Sequence, residues 1–162
     1  MSLDISNLSI AKTVNSLKKK DFSSKELISE FIKRIDSSDK LNCFITKTPE
    51  RALEMAKATD AKIAKREELG LLEGVPIAIK DLFCTKNIKT TAGSKILNNF
   101  VPSYESFVTQ KIFNSGGILV GKVNCDEFAM GSSNETSYFG HVINPWREKG
   151  SKKLLVPGGS SG

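Results

Sequence analysis

The chain has 162 residues, 39% of them hydrophobic, a composition that suits one ordinary globular domain and argues against wholesale disorder. Its 24 basic and 18 acidic residues give a net charge of +6, but no basic stripe with interleaved aromatic residues is visible, so charge alone does not indicate a nucleic-acid site. The single histidine excludes a metal site built on two histidines of one chain.

Residues 1–70 are predicted to form a helical region, and residues 71–162 an α/β region. The amino terminus has no basic segment followed by an apolar one, so we read no signal peptide and expect a cytoplasmic protein, or one of an organellar matrix if the source is eukaryotic. A first helix is indicated by apolar residues at three-residue steps, namely Leu8, Ala11, Val14 and Leu17.

A second helix carries a recognisable start signal. Ser23 and Glu26 have the spacing of a capping box, in which each side chain accepts a hydrogen bond from the backbone N–H of the other residue. The helix that follows is expected to bury one apolar side, formed by Leu27, Phe31 and Ile35 with Ile28 and Ile32 beside them.

A short strand and a third helix come next. Residues 44–46, Phe-Ile-Thr, are predicted to be a short strand. Thr48 followed by Pro49 is typical of a helix start, with threonine as N-cap and proline in the first helical position. This helix is expected to run towards Ala64.

From Gly74 onward, apolar strands alternate with loops and helices. Residues 75–79 are continuously apolar, which predicts a strand covered on both faces. Residues 104–114 have helical spacing, and residues 118–120 form a second apolar run directly after a glycine pair. Strand, helix and strand in this order imply a parallel pair with a right-handed crossover, so the predicted fold class is α/β.

A charged pair, Lys80 and Asp81, ends the first apolar strand. The structural interpretation is that the strand leaves the core and both side chains meet water. The functional interpretation places Lys80 partly buried at the carboxyl end of a parallel strand, where α/β folds hold their sites. Desolvation favours the uncharged form of a lysine amine, which can then act as a base. A Ser-His-Asp triad would instead have to rest on His141 alone.

Residues 157–162 read PGGSSG, and their composition leaves three interpretations open. The run could be a flexible linker or an expression remnant. A phosphate cradle is a weaker match, because no Lys-Ser or Lys-Thr pair follows the glycines. The third interpretation is a glycine-rich loop that uses unusual backbone angles to bring a serine hydroxyl close to a substrate.

A third candidate segment runs from Gly121 to Glu135. A short helix is predicted around residues 126–130, followed by a loop at 131–134 that is rich in hydroxyl and amide groups. The structural interpretation of this loop is a turn closed by local hydrogen bonds. Cys125 reads as an ordinary buried thiol, and three widely spaced cysteines without a CxxC pair indicate reduced thiols.

In this order, the motifs resemble the amidase-signature family. The resemblance runs from about Gly74 to Gly162, through GVPIAIKD, TTAGS, DEFAMGSSNE, NPW and VPGGSSG. It implies that the α/β region begins a mostly parallel, mixed amidase-signature sheet that is incomplete at the carboxyl end. TAGSKIL, DEFAMGSSNETS and the helical stretch FITKTPERALEMAKATD are similar to one branch of the family, the A subunit of glutamyl-tRNA(Gln) amidotransferases.

The resemblance also implies roles for individual residues. The family cleaves or transfers amides with a nucleophilic serine, a second serine in a cis peptide and a lysine. By position, Lys80 matches the lysine and Ser160 the cis serine, so a non-proline cis bond is expected before Ser160, at a cost of about 3–4 kcal/mol. Ser161 receives no role. A substrate-side position is expected for the loop residues Met130, Gly131, Ser132 and Ser133.

The family's nucleophile and oxyanion hole lie in a second glycine-rich serine motif, which these 162 residues do not contain. We therefore expect a truncated, inactive piece of a subunit that releases ammonia from glutamine to convert Glu-tRNA(Gln) to Gln-tRNA(Gln). The implied partners are the other subunits of a heterotrimer, one of which would hold ATP and Mg²⁺ and contact tRNA. No cofactor, metal or membrane is expected for this chain itself. The alternatives are a non-catalytic protein that docks these partner subunits and a small basic RNA-binding protein.

Overall fold

The computed structural model describes residues 3–161. The helices and strands in this part of the chain are α1 (Ile10–Lys19), α2 (Ser24–Ser37), β1 (Phe44–Lys47), α3 (Pro49–Lys65), β2 (Pro76–Lys80), α4 (Phe107–Asn114) and β3 (Ile118–Val123). Two 3₁₀ turns lie at Asp39–Leu41 and Glu127–Ala129. Within the described residues, no helix has the length and apolar character that crossing a bilayer requires.

The chain forms two compact units. Unit 1 contains the residues up to Asp36, then Thr48–Ala78 and Gln110–Val120. Unit 2 contains Ser37–Lys47, Ile79–Thr109 and the residues from Gly121 onward. The division between residues 70 and 71 that the sequence suggests stays a prediction.

The three strands form one mixed sheet in the order β1–β3–β2. β2 and β3 run parallel, because the N–H of Ile118 donates to the carbonyl of Val75 at one end and the N–H of Asp81 donates to the carbonyl of Val123 at the other. β1 is antiparallel to β3, with Phe44 opposite Val123. The α/β class, the strand at residues 44–46 and the parallel strand-helix-strand unit are thereby confirmed.

The interiors of the two units differ in chemistry. In unit 1 the buried residues are mainly apolar, and they include Leu17, Leu27, Ile28, Ala52, Ala56, Val75, Ile118, Leu119 and Val120. In unit 2 the buried residues are mainly polar or charged, and they include Asp81, Thr85, Thr90, Thr91, Ser94, Lys122, Asn124, Asp126, Asn134 and Ser137. Hydrogen bonds between buried side chains therefore contribute much of what holds the interior of unit 2 together.

The predicted capping box begins α2. The hydroxyl of Ser23 accepts a hydrogen bond from the N–H of Glu26 at 3.1 Å, and the Glu26 carboxylate accepts one from the N–H of Ser23 at 2.8 Å. The N–H of Ser24 donates to the carboxylate of Asp60 in α3 at 2.7 Å. The first turn of α2 is thus satisfied by side chains from two parts of unit 1.

Replacing Ser23 with alanine is expected to lower the free energy of unfolding by about 1 kcal/mol, because an N-cap acceptor is lost. Ser29→Ala is the matched control, since the Ser29 hydroxyl lies inside the same helix and donates to the carbonyl of Lys25. Urea unfolding monitored by circular dichroism measures both variants. Equal effects of the two substitutions would contradict a capping role for Ser23.

Burial along α1 and α2 is narrower than predicted. In α1, Thr13 and Leu17 are buried but Ala11 is exposed. Three-residue steps fall about 60° short of a full turn each, so such a stripe drifts around the helix, whereas positions four apart stay on one face. In α2, only Leu27 and Ile28 of the predicted apolar side are buried, and the later positions are half-buried.

α3 begins as predicted, with Thr48 at the N-cap position and Pro49 first in the helix. The Thr48 hydroxyl does not cap the helix, however, because it donates to the carbonyl of Leu119 in β3 at 3.1 Å. This contact ties the start of α3 to the sheet within unit 1.

The prediction that β2 is covered on both faces is wrong. Ala78 is exposed and Ile77 is half-buried, whereas β3 is buried from Ile118 to Lys122. Among the described strands, β2 lies at the end of the sheet and has one strand neighbour, whereas β3 lies between two.

α4 begins at Phe107, three residues later than predicted. The hydroxyl of Ser106 accepts a hydrogen bond from the N–H of Thr109 at 3.3 Å, which is the geometry of an N-cap. A serine at this point therefore starts the helix, although the apolar spacing extends back to Tyr104.

Candidate functional site

Lys80 and Ser160 lie together at the carboxyl end of β2. Lys80 is the last residue of that strand and is half-buried. Its Nζ donates a hydrogen bond to the Oγ of Ser160 at 2.8 Å, although the two residues are 80 positions apart in the sequence. Of the three interpretations of PGGSSG, this contact favours the loop that presents a serine hydroxyl. The catalytic roles of both residues stay predictions.

The segment that carries Ser160 is held by backbone hydrogen bonds within unit 2. The N–H of Asp126 donates to the carbonyl of Ser160 at 3.1 Å, and the N–H of Gly159 donates to the carbonyl of Ser132 at 2.6 Å. Gly158 and Gly159 have φ angles of 86° and 75°. Glycine adopts this left-handed region without the steric penalty of a Cβ, so these two residues allow the chain to turn towards Lys80.

The predicted cis bond between Gly159 and Ser160 is wrong, because the described residues contain no cis peptide bond. A cis bond that does not precede proline is kept only where the surrounding structure over-determines it. A Cβ placed on Gly158 or Gly159 would meet nothing within 4 Å beyond its chain neighbours. Within the described residues, the loop is therefore open on that side.

The neighbouring serine, Ser161, contacts a different part of unit 2. Its backbone forms an isolated antiparallel bridge with Cys125, and the residue is exposed. The contact with Lys80 thus involves the first serine of the run, as the family resemblance implies.

The carboxylate of Asp126 is buried and gathers the loop that follows it. One oxygen accepts hydrogen bonds from the N–H groups of Ser133 at 3.3 Å and Asn134 at 2.9 Å. The other accepts from the N–H of Thr136 at 3.1 Å and from its hydroxyl at 2.9 Å. A Cβ on Gly131 would lie 2.4 Å from the Asp126 carboxyl carbon, so only glycine fits there. The loop is the predicted turn closed by local hydrogen bonds.

Burial raises the pKa of Asp126, but hydrogen bonds from Thr136, Asn134 and Ser133 outweigh that effect and lower the pKa from 3.8 to about 2. Because the pKa of Asp126 is lower in the folded state than in the unfolded state, the stabilisation is complete above about pH 4 and is lost as the pH falls through about 2.

We expect the urea midpoint of the wild type to fall between about pH 4 and pH 2 and Asp126→Asn to flatten the fall. Glu68→Gln, at an exposed position, is expected to leave the profile unchanged.

The four residues predicted on the substrate side lie in this same loop. Met130 is 82% exposed, Ser132 is exposed and Ser133 is half-buried. Ser132 is the member that contacts the segment of Ser160, through its carbonyl. A role of the four residues in substrate binding stays a prediction.

A buried ion pair lies immediately after β2. Neither Asp81 nor Lys122 exposes any side-chain surface, and the Lys122 Nζ lies 3.2 Å from one carboxylate oxygen of Asp81. The Nζ also donates to the carbonyl of Phe83 at 3.0 Å and to the hydroxyl of Thr90 at 2.7 Å. The second carboxylate oxygen accepts a hydrogen bond from the N–H of Thr91 at 2.8 Å. Burial lowers the pKa of Lys122, although Asp81 acts in the opposite direction.

This pair corrects the sequence interpretation in which Asp81 meets water. Lys122 was not among the residues predicted to be important from the sequence. A signal was available, because a lysine inside a buried strand, Ile118–Val123, requires a buried anion or carbonyl groups around it.

Cys125 is the buried thiol that the sequence predicts. Burial, assisted by the charge of Asp81, raises the pKa of its thiol to about 11, which disfavours the reactive thiolate. Cys43, Cys84 and Cys125 are all free thiols. His141 is exposed.

A family model described as Amidase matches residues 26–162. The chain is 54% identical over 159 residues to the A subunit of glutamyl-tRNA(Gln) amidotransferase from Hyphomonas neptunium, covering 98% of this chain and 32% of that protein. It is 51% identical over 160 residues to the protein of the same name from Caulobacter vibrioides, covering 99% of this chain and 32% of that protein. The chain thus spans about a third of the length of these curated relatives.

Two solved structures give the same picture of the fold. One is a protein from a vestigial complex, described as revealing the evolutionary origins of an s-triazine catabolic enzyme. It matches with a TM-score of 0.86 and 31% identity, covering 95% of this chain and 33% of that one. The native peptide amidase of Stenotrophomonas maltophilia matches with a TM-score of 0.84 and 26% identity, covering 98% of this chain and 33% of that one.

Proposed function

Because the chain belongs to the Amidase family, we propose that it supplies the base and the relaying hydroxyl of an amide-hydrolysing site. One observation carries this proposal, the 2.8 Å contact between the Nζ of Lys80 and the Oγ of Ser160. In the reaction, the amine of Lys80 acts as the base that accepts the proton of the Ser160 hydroxyl. Ser160 in turn accepts the proton of the nucleophilic serine as that serine attacks the amide carbon.

The family resemblance assigns the nucleophile and the oxyanion hole to a motif outside these 162 residues. In the proposed reaction, attack forms a tetrahedral intermediate, and the proton held by the Lys80–Ser160 pair passes to the amide nitrogen. The carbon–nitrogen bond then breaks, ammonia leaves and an ester remains on the nucleophile. Water cleaves this ester, releasing the acid and restoring the serine.

For the substrate, we propose the side-chain amide of glutamine. Supporting this choice are identities of 54% and 51% to two proteins named as the A subunit of glutamyl-tRNA(Gln) amidotransferase, over nearly the whole of this chain. Ammonia would pass to a partner subunit that holds ATP and Mg²⁺ and amidates Glu-tRNA(Gln). The chain itself would need no cofactor, and tRNA would be bound through the partner.

The test uses the protein expressed from its own gene together with the other amidotransferase subunits. Ammonia release from glutamine and formation of Gln-tRNA(Gln) are measured, with asparagine and acetamide as competing amides. We expect hydrolysis of glutamine in preference to both. The 162 residues alone are expected to release no ammonia, because hydrolysis in this family requires the nucleophile and its oxyanion hole together.

Three outcomes would overturn this assignment. Stable binding to the partner subunits without ammonia release from the gene product would leave the non-catalytic docking protein. Hydrolysis of acetamide in preference to glutamine would leave an amidase that does not serve an amidotransferase. Affinity for tRNA that falls steeply with salt, without any amidase activity, would instead indicate the RNA-binding alternative.

A further inference from the structure

We infer that Asp126 is a positioning residue that fixes the backbone of Gly159 and Ser160 and thereby sets the contact between Ser160 and Lys80. The catalytic meaning of this inference rests on the proposed function. Its geometric content does not, because it concerns only how one loop holds another. Asp126 makes no hydrogen bond with the side chain of Lys80 or of Ser160, so it is not a catalytic residue.

The Asp126 carboxylate holds the loop that follows it in the sequence. Four hydrogen bonds converge on its two oxygens from Ser133, Asn134 and Thr136. The carboxylate is buried and packs directly against Gly131. An ionised carboxylate with this many donors fixes the path of the loop more firmly than neutral hydrogen bonds do.

The loop in turn holds the segment of Ser160. Ser132 lies between Gly131 and Ser133, and both of these residues contact the Asp126 carboxylate. The carbonyl of Ser132 accepts a hydrogen bond from the N–H of Gly159 at 2.6 Å. The orientation of this carbonyl therefore follows from the hydrogen bonds of Asp126.

The backbone of Asp126 also contacts the segment of Ser160 directly. Its N–H donates to the carbonyl of Ser160 at 3.1 Å, on the other side of the Gly159–Ser160 peptide from the Ser132 contact. One residue thus acts on both ends of that peptide, through its side chain at Gly159 and through its backbone at Ser160. The glycines before Ser160 have open space around their Cβ positions, so side-chain packing does not hold them.

The experiment measures amide hydrogen exchange of Gly159 in the gene product, relative to the amide of Ala92, which donates to the carbonyl of Asp81 in the same unit. Asp126→Asn replaces one of the two carboxylate oxygens with an NH2 group that cannot accept, so the N–H groups that donate to that oxygen lose their acceptor. We expect the Gly159 amide to exchange about tenfold faster relative to Ala92 in this variant. A ratio unchanged from the wild type, with a lower unfolding midpoint, would reduce Asp126 to a purely structural role.

A milder pair of variants covers the case in which Asp126→Asn fails to fold. Thr136→Val removes one of the four hydrogen bonds to the carboxylate, and Thr136→Ser keeps the hydroxyl. We expect the Gly159 amide to exchange faster relative to Ala92 in the valine variant, and at the wild-type ratio in the serine variant. Equal ratios in these two variants would overturn the inference.

A chemical readout on Lys80 completes the test. Competitive acetylation followed by mass spectrometry gives the reactivity of Lys80 relative to the exposed helical residue Lys57. In Asp126→Asn, we expect this ratio to move from the wild-type value to that of Ser160→Ala, in which the contact is removed directly. Amidase assays on the same samples should show a lower kcat with KM unchanged. If no variant or wild type has amidase activity, the proposed function fails, while exchange and acetylation still decide the positioning role.

Discussion

Replacing Lys80 with methionine is expected to lower the kcat for amide hydrolysis by about 10²–10⁴-fold, the contribution typical of a positioned base. Methionine keeps an unbranched apolar side chain of similar length but has no amine to place 2.8 Å from Ser160. The measurement is ammonia release from glutamine, the proposed substrate, by the gene product assembled with the proposed partner subunits. Lys57→Met, an exposed position on α3, is the matched control and is expected to retain wild-type activity.

Two further variants show whether Lys80 and Ser160 act as one unit. Ser160→Ala is expected to lose activity to a similar degree, because the relay is broken at its other end. The double variant should be hardly worse than either single variant, since residues that act together have strongly non-additive effects. Losses that simply multiply, or a Lys80→Met enzyme within threefold of the wild type, would contradict the proposed relay.

Lys122→Met is expected to lower the free energy of unfolding by about 3–5 kcal/mol, the usual cost of removing one member of a buried ion pair. The lost amine contacts the carboxylate oxygen of Asp81 that has no hydrogen-bond partner of its own, so the substitution leaves that oxygen buried and uncompensated. The carbonyl of Phe83 and the hydroxyl of Thr90 lose a donor as well. Urea unfolding with linear extrapolation measures the effect.

A double-mutant cycle separates the ion pair from general damage to packing. Adding Asp81→Asn to Lys122→Met removes the uncompensated charge and keeps an acceptor for Thr91, so part of the lost stability should return. Lys57→Met is expected to change the free energy of unfolding by less than about 0.5 kcal/mol, as a surface substitution. A loss below about 1 kcal/mol for Lys122→Met would mean that the buried pair contributes little.

Local signals in the sequence predicted the elements whose causes are themselves local. The capping box at Ser23 and Glu26 formed with both hydrogen bonds, because the two residues lie within one helical turn. The start of α3 at Thr48 and Pro49 was equally predictable. Family resemblance, and not spacing, singled out Lys80 and Ser160 as a pair, since no local rule relates residues 80 positions apart.

The features that sequence reasoning missed depend on contacts between distant segments. Lys122 faces Asp81 only after β2 and β3 have paired, and the edge position of β2 is decided by the strand order. The anchoring of the 131–136 loop by Asp126 was missed for a different reason. Its residues are close in sequence, but aspartate followed by a loop of small polar residues is common in turns and does not reveal how many donors converge on one carboxylate.

The contrast between the apolar interior of unit 1 and the polar interior of unit 2 predicts two different patterns of tolerance in a saturation mutagenesis experiment. Apolar positions such as Leu27 and Leu119 should accept single exchanges that conserve volume. Positions such as Asn124 and Asp126 should reject almost every single exchange, because any change isolates a buried donor or acceptor. Viable changes in unit 2 should therefore arise as coordinated pairs, and this half of the chain should diversify more slowly than the other.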